Sequence, residues 1–260
     1  MQLRRVDDYQ SWALEIGARR VLIDPWLSGA LVRGAADWVF GRTRPDPALA
    51  PGRVDGLVLT AHFADHLHRP TLARLPKSTP VFASHHAART ARGLGFTDVT
   101  ALRDGQRADL GDELELEAIA PDFPYSHNSL GYVFSHGGRR VYLETHVVNR
   151  KRGLERAHGV DVLVAPVQSV RVAGVVFVMS AERAVETARL LQPKTWVATG
   201  VDPQHGHGLL QRTLVSCRGT VDDFAARLKE AGLPTTFAQP APGEAIAVGD
   251  LVHAPAAVGT

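Results

Sequence analysis

Cysteine is nearly absent: one residue in 260, Cys217. A single thiol excludes an intramolecular disulfide and a cysteine-based zinc site. Surplus charge is missing too. The 29 basic and 27 acidic side chains leave a formal net charge of +2. The Arg-Arg pairs Arg4-Arg5, Arg19-Arg20 and Arg139-Arg140 are dispersed rather than gathered into a block, which argues against a nucleic-acid partner. No apolar run approaches the ~18 residues needed to cross a bilayer, and no basic segment leading into an apolar stretch opens the chain. Short-period repeats and low-complexity linkers are also lacking. The expectation is a cytoplasmic globular protein that binds neither nucleic acid nor membrane.

With 45% apolar residues the chain can bury a large core. Strands are predicted at 11–16 and 19–24, joined at Gly17-Ala18, and continuous apolar strands at "VDGLVLT", "PVFAS", "VDVLVAPV" and "KTWVATG". "ELELEAIA" alternates with strand period, "LGYVFSHGGRRVYLETH" reads as a hairpin turned by Gly137-Gly138, and 244–249 as a final strand. Helices are predicted at 70–76, 85–94, 180–192 with Ser180 as N-cap, and 220–231 with Thr220 as N-cap. Residues 30–52, with Trp38 and Phe40, read as an irregular loop covering a pocket at one end of a sheet. Buried strands in both halves with helices between them suit sheets covered on their outer faces by helices, in one domain over 1–260 with two similar halves.

Polar residues gather where these strands end. The segment "VLTAHFADHLHRP" places Asp65, His66 and His68 after one strand, with His62 beside them. Asp24 follows another, Glu144 and His146 a third, His127 precedes the strand at 130–135, and "GVDPQHGHG" brings Asp202, His205 and His207 after a fourth. Imidazoles and carboxylates together are the ligand set of zinc, iron or manganese. A lone loop histidine is usually just solvated, and His85, His86, His136, His158 and His253 are read that way. Asp24 could equally cap a turn, and Glu144-Thr145-His146 could be strand-end polarity. The recurrence of such clusters at one kind of position favours a site.

These segments resemble the metallo-β-lactamase-fold hydrolase superfamily, in its lactonase-like and phosphodiesterase-like branch, over nearly the whole chain. "VLIDPWLSG" resembles that branch's early strand and Asp-Pro-Trp-Leu turn; "LVLTAHFADHLH" stands in place of its Thr-His-x-His-x-Asp-His motif; "RRVYLETH" lies where a Gly-Asp-Thr segment is usual. "GTVDDFAARLKEAGLP…APGEAI" is similar to the ending of a plant and cyanobacterial subgroup with Asp-His-x-His and Glu-x-His segments. The resemblance implies a four-layer α/β/β/α sandwich with a metal centre at one edge. It also puts Ala61 and Phe63 where the first two metal-binding histidines belong, so a conventional binuclear zinc site is not expected. Asp65 and His66 carry over as ligands, His127 matches a later ligand histidine, Glu144 stands for the bridging aspartate, and His68 and His146 have no counterpart in the common pattern.

The expectation is a hydrolase with one altered metal site, or none, acting on an ester, lactone, amide or phosphoester of a small molecule. Asp65, His66, His68, Glu144 and His146 are its candidate ligands, zinc the first candidate metal, and iron or manganese the others. Asp65 would orient or deprotonate the water, and Glu144 or His127 would protonate the leaving group. Asp24, Asp202, His205 and His207 are candidate supports around the ligands. Asp65, His66, Glu144 and His146 should converge within about 10 Å. The rival readings are a metal-free binding or scaffold module and an iron or manganese redox enzyme.

Overall fold

The computed structural model describes residues 1–27, 29–32, 41–44, 52–201, 206–209 and 213–249, with backbone alone at 32, 41–44, 206 and 207. Two similar hairpins organise the two halves of the chain. The first pairs β2 (Trp12–Ile16) with β3 (Arg19–Ile23). The second pairs β11 (Gly131–His136) with β12 (Arg139–Leu143). Gly17 at φ +55°, and Gly137 and Gly138 at +54° and +74°, supply the left-handed backbone that tight hairpin turns require.

Around each hairpin grows a seven-stranded sheet of the same design. In the first the order is β20-β1-β2-β3-β6-β7-β8, where β1 is Gln2–Arg5, β6 Gly56–Leu59, β7 Val81–Ser84, β8 Val99–Leu102 and β20 Ala245–Ala247. In the second it is β19-β16-β13-β12-β11-β10-β9, with β9 Arg107–Asp109, β10 Glu115–Ile119, β13 Val162–Ala165, β16 Thr195–Ala198 and β19 Thr236–Ala238. Pairing is antiparallel up to β3 and β12 and parallel beyond them. The entry to each parallel half is pinned alike. Arg20 N–H donates to Asp55 Oδ2 at 3.0 Å and Arg140 N–H to Asp161 Oδ2 at 2.8 Å. Each aspartate returns its own N–H to the arginine carbonyl.

Side-chain alternation sorts these strands into layers. Val21, Ile23 and Val58 meet Val141, Leu143, Val162 and Val164 between the sheets. Leu22, Leu57 and Leu59 point outward against α1 (Arg69–Ala73) and α2 (His85–Gly93) through Leu72, Ala87 and Ala91. Tyr142, Leu163 and Ala165 point outward against α3 (Arg150–Ala157), α4 (Ala181–Leu191) and α5 (Val221–Glu230). Each fully buried aliphatic side chain contributes about 1.5–3 kcal/mol, so this alternation holds the four layers together. The architecture is the α/β/β/α sandwich of the metallo-β-lactamase fold. Among the described residues no helix is long and apolar enough to cross a membrane.

The expected loop at 30–52 is partly sheet: β4 (Gly29–Val32) pairs with β5 (Gly41–Arg44), and β5 with β17 (Gly206–His207). Trp38 and Phe40, expected to cover a pocket, lie outside the described residues. The helix α3 and the small sheet of β14 (Ser169–Val172), β15 (Val175–Val178) and β18 (Val215–Arg218) were not predicted.

Candidate active site

The parallel strands end together, and there the polar residues meet. Asp24 directly follows β3 with φ +46°, a left-handed conformation that aspartate tolerates better than most residues. Its N–H donates to Val58 O at 3.0 Å. Asp7 and Ser11 brace it from the N-terminal loop: Ser11 Oγ donates to Asp24 O at 2.9 Å and accepts from Trp26 N–H. The Asp24 side chain is wholly buried. Its Oδ1 accepts from Thr60 N–H at 2.8 Å, and its Oδ2 lies 2.5 Å from Thr60 Oγ1 and 2.7 Å from His66 Nδ1. A carboxylate can only accept, so His66 Nδ1 carries the proton and Nε2 the lone pair. Asp65 Oδ2 stands 3.8 Å from that Nε2 and accepts from Tyr9 Oη at 3.4 Å.

The second sheet answers from across the gap. Ser129 bridges Ala61, and Leu130 N–H donates to Thr60 O at 2.9 Å, tying the strand ends together. His146 stacks on His66 with ring centroids 4.6 Å apart, and Tyr125 lies 3.8 Å from the His146 ring on centroids. Phe63 sits edge-on to His66, His146 and Tyr125. His146 Nδ1 lies 3.2 Å from Ser129 Oγ and 3.7 Å from Glu144 Oε1. Asp65, His66, Glu144 and His146 thus share one cluster.

Glu144 is the outlier in it. It follows β12 as Asp24 follows β3, with its N–H on Val164 O. Oε1 accepts from His146 N–H at 2.9 Å, whereas Oε2 is buried without a partner among the described residues. Burial pushes this carboxyl up to about 8; the nearby Asp24 charge adds to the rise, and backbone N–H groups of residues 145–147 oppose it. Glu144 is therefore mostly neutral at pH 7. Gly131 makes its space: a Cβ there would lie 2.5 Å from Oε2 and 2.9 Å from Leu143 O.

Two expected members, His68 and His127, take other places, and Glu144 is sealed inside the cluster. His68, expected as a ligand, caps α1: Nδ1 lies 2.8 Å from Thr71 Oγ1 and accepts from Thr71 N–H, and Nε2 reaches Ala30 O at 3.3 Å. Both ring nitrogens are committed, so it does not join the cluster. His127 is exposed on its turn; Tyr125, two residues earlier, is the group that reaches His146. Glu144 is fully buried, and its Oε1 accepts from the His146 N–H within the 144–147 turn. Asp202 and His205 lie outside the described residues, as does the His207 side chain.

Held against a metal, the described donors fall short. Ala61 and Phe63 offer none, and Glu144 Oε2 faces glycine and sheet rather than the histidines. Among the described residues, no three His, Cys, Asp or Glu groups are gathered to hold an ion, and a catalytic metal takes about three protein ligands.

The fold and the strand-end histidine–carboxylate cluster place the chain in the metallo-β-lactamase class. Residues 19–200 match the Beta-lactamase superfamily domain, and the chain belongs to that family. A cytidine monophosphate-N-acetylneuraminic acid hydroxylase from Danio rerio is 28% identical over 163 residues, 58% of this chain and 27% of that protein; the chain spans about a quarter of that relative's length. Among solved structures, an isothiocyanate hydrolase from Delia radicum gut bacteria is 21% identical, with a TM-score of 0.74 over 95% of this chain and 99% of that one. CmlA, a diiron β-hydroxylase from Streptomyces venezuelae, is 17% identical, with a TM-score of 0.67 over 94% and 53%. Igni18, a metallo hydrolase from Ignicoccus hospitalis, is 17% identical, with a TM-score of 0.65 over 94% and 97%. Proteins similar in fold thus include a metallo hydrolase and a diiron β-hydroxylase alike.

Proposed function

We propose that the chain is a hydrolase of a small-molecule ester, lactone, amide or phosphoester, with His66 as the base that activates water. The observation that supports this is the buried Asp24–His66 contact at 2.7 Å. It sets the imidazole tautomer and stabilises the imidazolium formed when Nε2 takes a proton, as a carboxylate does behind a catalytic histidine. Asp65, held by Tyr9, orients the water beside Nε2, and His146, stacked on His66, faces the leaving group. Each chain carries one metal or none. Any metal site would need donors from Asp202, His205 and His207 in addition to those described, with zinc the first candidate and iron or manganese the others.

The test is turnover on a panel of esters, lactones, amides and phosphoesters, with and without chelation, alongside metal analysis of the purified protein. Turnover that survives chelation and is lost in His66→Ala is expected. Activity in that variant, or two equivalents of bound metal, overturns the reading. Loss on chelation, restored by one equivalent, moves His66 from base to ligand.

A second reading, oxidation at an iron or manganese site, is favoured by the hydroxylase named among the sequence relatives. Stoichiometric iron or manganese in the protein as purified would select it. A metal-free binding module is the outcome if the whole panel is inert.

A further inference from the structure

Next to the histidine cluster lies a cavity of about 410 Å³ whose polar lining is unbalanced. Arg171, Arg183, Asp122, Ser169 and Ser180 supply that lining, and Ser180 Oγ accepts from the Arg183 N–H. Arg183 spends its charge on Asp122 at 2.6 Å. Arg171 forms no ion pair among the described residues, so the wall carries one uncompensated positive charge. Ser169 is 3% exposed, and among the described residues its Oγ and the buried Nε atoms of Arg171 and Arg183 have no hydrogen-bond partner. Buried donors left open call for an explanation, since each costs about 1–3 kcal/mol. A register shift between Val170 and Arg171 interrupts the β14–β15 pairing at the arginine. Bulges of this kind re-aim side chains beside active sites.

The rest of the lining is apolar, and three of its side chains are open to solvent. Phe123 is 74% exposed, Val175 47% and Val176 39%, with Met179 buried behind them. The cavity also shares its wall with the cluster. Val147, which lines it, follows His146 and accepts from Asp122 N–H at 3.0 Å; Met179 N–H donates to His146 O at 3.2 Å. Tyr125 stands between Phe177 and the His146 ring.

We propose that this cavity is the subsite for the substrate's anionic end: a small organic monocarboxylate whose carboxylate pairs with Arg171 and whose apolar body rests on Phe123, Val175 and Val176. The planar guanidinium matches a carboxylate with two parallel hydrogen bonds. A single uncompensated charge suits a monoanion better than a phosphate dianion, and the volume suits a small ligand. The role in turnover rests on the hydrolase reading; the binding does not.

Binding of hexanoate, hexyl phosphate and hexanol is measured by calorimetry on the whole chain, and hexanoate is mapped by amide chemical shifts. Wild type should bind hexanoate saturably, hexyl phosphate more weakly and hexanol not measurably, with shifts at Ser169–Val176. Arg171→Ala should weaken hexanoate roughly tenfold or more, the loss of a charge-assisted pair, and Arg171→Lys less. His66→Ala should bind hexanoate as wild type does while losing turnover. If the alanine variant misfolds, Arg171→Gln and the wild-type shift map carry the decision. Unchanged affinity in the Arg171 variants, shifts elsewhere, stronger binding of the phosphate, or no saturable binding overturns the proposal. Retained turnover in His66→Ala with lost binding in Arg171→Ala would sink His66 as the base and leave the subsite standing.

Discussion

Asp24 and Glu144 occupy matching positions in the two sheets. Each follows the strand where antiparallel pairing gives way to parallel, and each hangs its N–H on the carbonyl of the next parallel strand. Both side chains are fully buried. Their surroundings nonetheless drive them apart. Asp24 meets the Thr60 N–H, the Thr60 hydroxyl and the His66 imidazole, three groups placed around a carboxylate. Glu144, one methylene longer, folds back on its own turn, and its second oxygen finds Gly131 and no partner. Equivalent backbone positions therefore carry different chemistry: one acid holds an imidazole, and the other is kept neutral by burial. Site placement follows the sheet, while charge state follows the local supply of donors.

Replacing Asp24 by asparagine tests the first half of this comparison most severely. Asparagine tolerates the +46° φ, so the backbone should survive while His66 loses the carboxylate that fixes its tautomer. Turnover on any substrate found should fall by roughly 10³–10⁴-fold, the scale seen when a catalytic histidine is given the wrong partner. Steady-state kinetics reads it, and a loss below tenfold would break the assigned role.

The Glu144 half is tested by pH. Its carboxyl rises from an ordinary 4.5 to about 8 in the folded protein, so folding takes up a proton between those values. Stability is fully present below pH 4.5 and is lost as pH rises through 8, by up to about 1.4 kcal/mol per pH unit. Glu144→Gln lacks this dependence. Its melting temperature should overtake that of the wild type as pH climbs, with a difference on the order of a few kcal/mol at pH 9. Parallel melting curves from pH 5 to 9 would show that Glu144 is not buried as a neutral acid.

Gly131 sharpens the same point. Gly131→Ala forces a methyl against Glu144 Oε2 and the Leu143 carbonyl, and overpacking of this kind costs about 1–3 kcal/mol. Denaturant titration measures it, and combination with Glu144→Ala should recover part of the loss, because the Oε2 contact goes while those to the Leu143 carbonyl and the Tyr142 ring remain. The smallest effect is expected at His68. Its loss as N-cap of α1 should cost about 1 kcal/mol in His68→Ala and leave turnover and any metal content in place. Loss of bound metal in that variant would return His68 to the ligand set.

How far the sequence carries can be seen element by element. The helix predicted at 180–192 is 181–191 with Ser180 capping it, and 220–231 is 221–230 with a capping box of Thr220 and Asp223. Both cues are local. The helix at 150–157 escaped notice because Gly153 interrupts it. That glycine is there for a long-range reason: a Cβ would lie 3.0 Å from Leu191 on α4. The hairpin of β14 and β15 escaped because Val175 and Val176 are both exposed, which breaks the alternation that marks a strand. In "PYSHNSLGY" the histidine drew attention by type, while the tyrosine two positions earlier is the side chain that meets His146.

By itself, the sequence determined sheets covered by helices and the strand ends where polar residues collect, because period-two alternation and strand-end polarity are readable within a dozen residues, while the four-layer sandwich was implied by the family resemblance. Only the tertiary structure decided which of those residues work together. The Asp24–His66 contact spans 42 positions, and the Thr60–Thr145 approach that joins the two sheets spans 85. Whether a carboxyl at such a place is ionised or neutral, and whether a histidine caps a helix or faces a substrate, depends on donors and acceptors brought from distant strands. No local pattern encodes that, because hydrogen bonding and burial are set by neighbours in space.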